Sequence, residues 1–238
     1  MRIAHAAMPM KTPLRETAFD AARKQEYTVA VDDIRRHGWR RAWQAAHGRL
    51  DESLAAAVVD SNAQIACRAG CSYCCHFKVE IRAEEAFAIV DYVREHFSPE
   101  RSREIRAAAD ANARVMRQAS PAAQAEANLP CVFLGADGCC SIYEVRPLRC
   151  RAFHATDVER CKQSFEQPHN LDILDSQVTE VYAAGQAQQH GYNAAMGEAG
   201  YDTAMYEMST ALAACFTDTG PKRRFEKGKP AFSKPRSG

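Results

Sequence analysis

The sequence lacks any long apolar run and any surplus of charge of one sign. No stretch approaches the roughly 18 consecutive apolar residues of a membrane-spanning helix. The chain has 31 basic and 30 acidic side chains, for a net charge of +1. Overall charge therefore gives no reason to expect nucleic acid or an anionic lipid surface as a partner. Hydrophobic residues make up 46% of the 238 residues, so we expect a globular protein that contacts neither a membrane nor nucleic acid.

The N-terminal segment also lacks the apolar core of a secretion signal. It reads MRIAHAAMPMKTPLRETAFD, in which proline and basic residues interrupt each apolar stretch. We predict no signal peptide, a flexible tail over residues 1–15, and a cytoplasmic protein whose thiols stay reduced. In a reducing compartment, clustered cysteines favour metal or redox chemistry over a disulfide framework.

The spacing of apolar residues predicts a mainly α-helical fold with only short strands. Helices are predicted over residues 17–47, 51–63, 82–97, 99–118, 171–190 and 202–217, with a short one beginning at Pro121. Gly48 is predicted to end the first of them. Short strands are predicted over residues 76–81, 132–134 and 141–143, the last two joined by a glycine-containing turn.

This pattern predicts one helical domain over residues 16–217. Two or more helices before residue 64 and two after residue 170 are expected to flank a loop-rich, cysteine-rich core over about residues 65–162. The segment 218–238 is rich in lysine, arginine, proline and glycine. With little to bury, it is predicted to be a basic, disordered tail.

Ten cysteines are a high count for a chain of this length, and nine of them fall into two groups. The first group is Cys67, Cys71, Cys74 and Cys75, and the second is Cys131, Cys139, Cys140, Cys150 and Cys161. The tenth, Cys215, lies in an apolar helical stretch, where a cysteine is usually a small buried hydrophobe. Thiolates two or three residues apart can converge on one ion, and both tetrahedral zinc and an iron–sulfur cluster take four cysteines.

Adjacent cysteines are harder to place on one ion. In an extended segment neighbouring side chains face opposite ways. Cys74 and Cys75 are therefore predicted to bind at different sites. The alternative is that one of them is a metal ligand and the other is a redox thiol or a thiol next to the ligands. The same reasoning applies to Cys139 and Cys140.

The two groups together resemble the YkgJ-type cysteine-cluster family, also called CxxCxxCC proteins, a proposed zinc- or iron-chelating domain. The segments CRAGCSYCC, PCVFL and GCCSIYEVRPLRCRAF carry the resemblance, of which C-S-I-Y-x-x-R-P-x-x-C-R at residues 140–151 is the most specific part. The resemblance implies metal ligands at Cys67, Cys71, Cys74, Cys75, Cys131, Cys140, Cys150 and Cys161. Cys139 is an extra cysteine in this comparison, and three residues rather than two separate Cys67 from Cys71.

Two further resemblances imply alternatives. A related domain occurs in flagellin lysine N-methylase, which implies methylation of protein lysines, although no segment is recognisable as a site for the methyl donor. Cys67-x3-Cys71-x-Tyr73-Cys74 resembles the [4Fe–4S] motif of radical S-adenosylmethionine enzymes. That fold continues in parallel βα units, whereas the residues after Cys75 are predicted to be mainly helical. A complete radical enzyme is therefore disfavoured, while an iron–sulfur-dependent enzyme or subunit stays open.

We expect metal binding, with zinc as the first choice and iron or a [4Fe–4S] cluster as the alternative. His76 and His154 are further possible ligands, although the cysteines already suffice. Eight thiolates around two divalent ions would leave about four excess negative charges, which nearby arginines would offset. Among these, Arg146 can donate a hydrogen bond to sulfur or to a main-chain carbonyl. The flanking helices are a possible surface for a protein partner.

Overall fold

The computed structural model describes residues 13–170, 172–174 and 176–233. This part of the chain is mainly α-helical, which confirms the predicted fold class. Its helices are α1 (Pro13–Asp60), α2 (Ala83–His96), α3 (Pro99–Gln118), α4 (Pro121–Glu126), α5 (Leu148–Ala152), α6 (Val158–Glu166), α7 (Thr179–Glu198), α8 (Met208–Thr217) and α9 (Gly220–Phe225). Strands β1 (Glu80–Ile81) and β2 (Tyr206–Glu207) pair antiparallel. No helix in these ranges is long and apolar enough to cross a bilayer.

The longest helix, α1, is broken at Gly38 into two arms. Gly38 has φ 76° and ψ 167°, a left-handed conformation that glycine adopts without a steric cost. Arg49 on the second arm pairs with Glu26 on the first arm at 2.6 Å, so the arms fold back on one another. The break predicted at Gly48 is wrong, because Gly48 lies inside the second arm, where a helical glycine costs only about 1 kcal/mol.

Helix α7 packs against both arms of α1 and completes a three-helix layer. On the second arm, Ser53 accepts a hydrogen bond from the Gln188 side chain (2.8 Å). On the first arm, Phe19 meets His190 edge to face. A second layer of α2, α3 and α8 packs together and meets the first where Trp39 contacts Phe87. The hydrophobic core is continuous between the two layers.

The segment 218–233 differs from the disordered tail that its composition predicted. It forms α9 and then runs back over the core, where Phe225, Ala231 and Phe232 are buried. The Ala231 N–H donates to the Asp202 carboxylate (2.7 Å), and the Arg224 guanidinium donates to the Ala231 carbonyl (2.6 Å). Two phenylalanines thus anchor a segment that is polar on average. Residues 234–238, and residues 1–12 of the predicted N-terminal tail, lie outside the described residues.

The other differences concern short elements and the first residues of α7 and α8. Helices α5 and α6 were not predicted, because helices of five and nine residues show too few turns for an apolar period. Helix α7 begins at residue 179 rather than 171, and α8 at 208 rather than 202. The strand predicted over 76–81 is limited to β1, and those predicted over 132–134 and 141–143 reduce to one bridge between Leu134 and Cys140. Helix α3 has the bounds that were predicted, and the Ser98 side chain caps its N-terminus.

Candidate metal centre

The adjacent cysteines Cys74 and Cys75 lie on one 3-10 helical turn, Tyr73–His76. The Cys75 N–H donates to the Ser72 carbonyl (2.9 Å). Because this helix has about three residues per turn, neighbouring side chains diverge by about 120° rather than facing opposite ways. The two thiols hydrogen-bond to each other. Cys74 and Cys75 therefore do not lie in an extended segment, and their side chains do not face opposite ways.

The second cysteine segment docks directly on this turn. The Cys131 N–H donates to the Cys75 carbonyl (2.7 Å). From Cys131 the chain makes a narrow loop that closes where Leu134 pairs with Cys140. The Ser141 N–H then donates to the Phe133 carbonyl (2.9 Å). Main-chain hydrogen bonds alone thus bring Cys131 and Cys140 beside the turn that carries Cys75.

The tips of the two cysteine loops touch at a pair of glycines. Gly70 and Gly138 both have positive φ, 83° and 76°. A Cβ atom on Gly138 would lie 2.6 Å from the Gly70 carbonyl oxygen, well inside van der Waals contact. This close approach is open only to glycine at position 138.

Two short helices supply the remaining predicted ligands. Helix α5 carries Cys150, and α6 carries Cys161. Helix α6 packs on the 3-10 turn through Phe165, whose ring lies 5.8 Å from that of Tyr73 and 4.8 Å from that of His76. Cys161 also lines a small cavity beside this contact.

Electrostatic interactions show which thiols lie near one another. The thiols that act on Cys67 are those of Cys74 and Cys71. The hydrogen bond from Cys74 has the largest effect on the pKa of Cys75 and lowers it. The Cys131, Cys140 and Cys150 thiols act in the opposite direction and raise that pKa. The Cys74 thiol acts on Cys67 and also on Cys131, Cys140 and Cys150. Seven of the eight predicted ligands therefore form one network, with Cys74 and Cys75 at its centre.

Burial dominates the ionisation of most of these thiols. It raises the pKa of Cys131 to about 11 and that of Cys150 further. The pKa of Cys74 is also raised, chiefly because its thiol donates to Cys75. No disulfide links the described cysteines. Nor is any group of three or more His, Cys, Asp or Glu side chains in the described ranges already arranged to hold a metal ion. The thiols are gathered, but they do not form a closed site.

A protein-family model matches this assembly. It is the CxxCxxCC model, whose description is "Putative zinc- or iron-chelating domain", and it covers residues 66–179. Residues 66–179, called the CxxCxxCC domain below, are thus similar to this family. The CxxCxxCC domain contains all eight predicted ligands and extends beyond the predicted range of 65–162 to the first residue of α7. Searches of curated proteins and of solved structures found no match to the chain.

Within the CxxCxxCC domain, the two candidate histidines contact the main chain. His154 is buried; its Nε2 accepts from the Val178 N–H (2.9 Å) and its Nδ1 lies 3.1 Å from the Ala152 carbonyl. Both ring nitrogens are thus occupied, which disfavours His154 as a ligand in this arrangement. The Nδ1 of His76 lies 3.1 Å from the Ser72 carbonyl.

The two cysteines left out of the predicted ligand set lie in different surroundings. The Cys139 N–H donates to the Asp137 carboxylate (3.0 Å) in the turn at the loop tip. Cys215 is 6% exposed in the core face of α8, as predicted for a small buried hydrophobe.

Three residues of the centre were not recognised, or only partly, from the sequence. The Arg146 guanidinium donates to the Cys150 carbonyl (2.5 Å), which is one of the two bonds that its position predicted. His47 of α1 lies 2.6 Å from the Arg146 carbonyl. Glu85 accepts from the N–H groups of Arg82 and Leu148, both at 2.7 Å. His47 and Glu85 act across about 60 to 100 residues of sequence, so no local pattern signals them.

Glu85 is predicted to fasten the Cys150 helix to α2. Replacing it with Ala leaves two buried N–H donors without an acceptor, and each such loss costs about 1–3 kcal/mol. We expect Glu85→Ala to lower the free energy of unfolding by about 3 kcal/mol in urea denaturation at pH 7. Glu95→Ala, on the exposed face of the same helix, is the control and should change it little. Equal stability of the two variants would contradict this role.

Proposed function

We propose that the chain binds metal through two neighbouring cysteine groups, with zinc as the ion. One group contains Cys67, Cys71 and Cys74. The other contains Cys75, Cys131, Cys140 and Cys150. The observation that carries the proposal is the hydrogen bond from the Cys131 N–H to the Cys75 carbonyl (2.7 Å), which joins the two cysteine segments. Four cysteines are a complete tetrahedral ligand set for zinc.

This division differs from the two groups that are contiguous in sequence. Cys75 is transferred to the second group, since the hydrogen bond from the Cys131 N–H ties its carbonyl to that segment. Adjacent cysteines on a 3-10 turn can then serve two ions that lie close together. We propose Cys161 as the fourth ligand of the first group, because α6 packs on the turn that carries Cys74.

Binding would close sites that are gathered but open in the described arrangement. A cysteine sulfur is redirected by rotation about one bond, with three staggered positions available. The main-chain hydrogen bonds described above hold the loops while the side chains turn. The metal would take the place of thiol protons and would cross-link the cysteine loops.

The CxxCxxCC domain would then act as a metal-stabilised core between helical layers. Within the domain, the segment from Leu134 to Arg146 contains only short turns and a single strand bridge. Such segments usually depend on metal for their fold. Zinc is preferred because it accepts four thiolates without redox chemistry, while a [4Fe–4S] cluster, which also takes four cysteines, is the competing outcome.

Elemental analysis and a visible spectrum of the same sample test this proposal. The protein is purified without oxygen and without added metal. We expect stoichiometric zinc and no visible absorbance, since zinc is d¹⁰. A brown sample with a broad band near about 400 nm and acid-labile sulfide would replace zinc with an iron–sulfur cluster. The proposal would be contradicted if the protein contained neither metal and also failed to take up added zinc.

Single cysteine replacements test the ligand set. Cys74→Ser and Cys150→Ser are each expected to lower the zinc content by about one ion, because a zinc site that loses one thiolate binds far more weakly. Cys215→Ser is the matched control, since that thiol lies in the core of α8 and should leave zinc content unchanged. Full zinc content in both of the first two variants would rule out the proposed ligands.

A further inference from the structure

We propose that Arg146 is a positioning residue that neutralises the thiolate charge of both cysteine groups, and that His47 holds it in place. The inference rests on the proposed function, because it concerns the state in which the cysteines hold metal. It adds two residues that are not ligands, one of them on a helix outside the CxxCxxCC domain.

Arg146 is held on three sides. Its guanidinium donates to the Cys150 carbonyl (2.5 Å). The same group lies over the Tyr143 ring, 5.3 Å from its centroid, at a distance typical of a cation–π contact. Its carbonyl lies 2.6 Å from the His47 Nε2. Since a carbonyl can only accept, Nε2 carries the proton in this contact.

His47 is a suitable anchor because it is buried and neutral. Its side chain is 7% exposed, and its ring centroid lies 4.7 Å from that of Trp43. Burial, followed by the Arg151 charge, lowers its pKa to about 4. At neutral pH the ring therefore adds no positive charge and acts as a hydrogen-bond donor from α1 to the Arg146 carbonyl.

The charge of Arg146 reaches both cysteine groups. Its electrostatic influence extends to Cys67 and Cys74 in the first group. It also extends to Cys131, Cys140 and Cys150 in the second, and the hydrogen bond to the Cys150 carbonyl places the guanidinium beside that group. A guanidinium stays protonated in proteins, so this charge is permanent. Four thiolates on one divalent ion carry a net charge of about −2, and a permanent cation between two such groups lowers the cost of burying them.

The two neighbouring arginines are less available to the thiolates, although the Arg151 charge also acts on Cys140. Arg151 forms an ion pair with Asp51 (2.8 Å). Arg149 is exposed. In the described ranges, by contrast, Arg146 forms no ion pair with a carboxylate, so its charge is available to the thiolates.

Two substitutions separate charge from hydrogen bonding. Arg146→Gln keeps a donor for the Cys150 carbonyl but removes the charge, whereas Arg146→Lys keeps the charge and loses the planar fork. The affinity for zinc is measured by competition with a chromophoric chelator on protein stripped of metal, with Arg149→Gln as the control. We expect at least tenfold weaker binding for Arg146→Gln, and binding within threefold of wild type for Arg146→Lys and for the control.

Each outcome decides the inference. Wild-type zinc affinity in Arg146→Gln overturns the inference. Weak zinc binding in Arg146→Lys together with tight binding in Arg146→Gln also overturns it, because the hydrogen bond rather than the charge would then be required. If Arg146→Gln does not fold, wild-type affinity in folded Arg146→Lys supports the need for charge, and failure of both to fold assigns Arg146 to folding alone. Absence of zinc binding in the wild type would instead reject the proposed function itself.

Discussion

Replacing Glu84 with Gln is expected to raise the free energy of unfolding by about 4 kcal/mol at pH 8 and to change it little at pH 4. Glu84 is completely buried in the first turn of α2. Among the described residues, none donates a hydrogen bond to either carboxylate oxygen. Burial, followed by the charge of Glu85, raises the pKa of Glu84 from 4.5 to about 8, against the opposing effect of Arg82.

The direction of the pH dependence follows from this shift. Below pH 4.5 the carboxyl is neutral in the folded and unfolded chains, so it costs nothing. As the pH rises from 4.5 to about 8, the unfolded chain ionises while the folded chain keeps its proton. Stability is therefore lost across that window, at about 1.4 kcal/mol per pKa unit, and the loss is complete above it.

Urea denaturation at pH steps between 4 and 8.5 measures this effect. The difference in free energy of unfolding between Glu84→Gln and wild type should increase with pH. Taking this difference removes the pH dependence of all groups that the two proteins share. Glu95→Gln, exposed on the same helix, should follow the wild-type curve. Parallel curves for wild type and Glu84→Gln would mean that Glu84 ionises in the folded chain as it does in the unfolded one.

Gly138→Ala is expected to lower the free energy of unfolding by about 3 kcal/mol and to weaken zinc binding. The new Cβ would lie 2.6 Å from the Gly70 carbonyl oxygen and 3.2 Å from the Gly70 Cα. Both are main-chain atoms, so no side-chain rotation relieves the clash, and the φ of 76° is itself unfavourable for alanine. The two cysteine loops would have to separate, which moves Cys140 away from Cys74.

The matched control is Gly48→Ala, in the second arm of α1. There an added Cβ would meet no atom of the described residues within 4 Å. Alanine in a helix is more stable than glycine by up to about 1 kcal/mol. Thermal unfolding and zinc competition on both variants separate the two cases. A stability gain in Gly138→Ala like that expected of Gly48→Ala would show that the loops do not rely on this contact.

The family, the fold class and the type of chemistry were predictable from the sequence. Thiol spacing carried the resemblance, and the CxxCxxCC match over residues 66–179 confirms it. Apolar periodicity predicted α2 and α3 closely, because each runs long enough to repeat its pattern along one face. The break in α1 was assigned to the wrong glycine, since sequence does not show which glycine takes a positive φ.

What the sequence determined by itself is local: residue types, helical periods and the number of thiols. The tertiary structure decided which residues that are distant in sequence come into contact. Cys75 meets Cys131 through a main-chain hydrogen bond, and His47 meets Arg146 across 99 residues. Phe225 anchors a segment of basic composition in the core. The physical reason is that periodicity and composition record the preferences of neighbouring residues, whereas contacts between distant segments depend on how buried surfaces and main-chain hydrogen bonds are satisfied together.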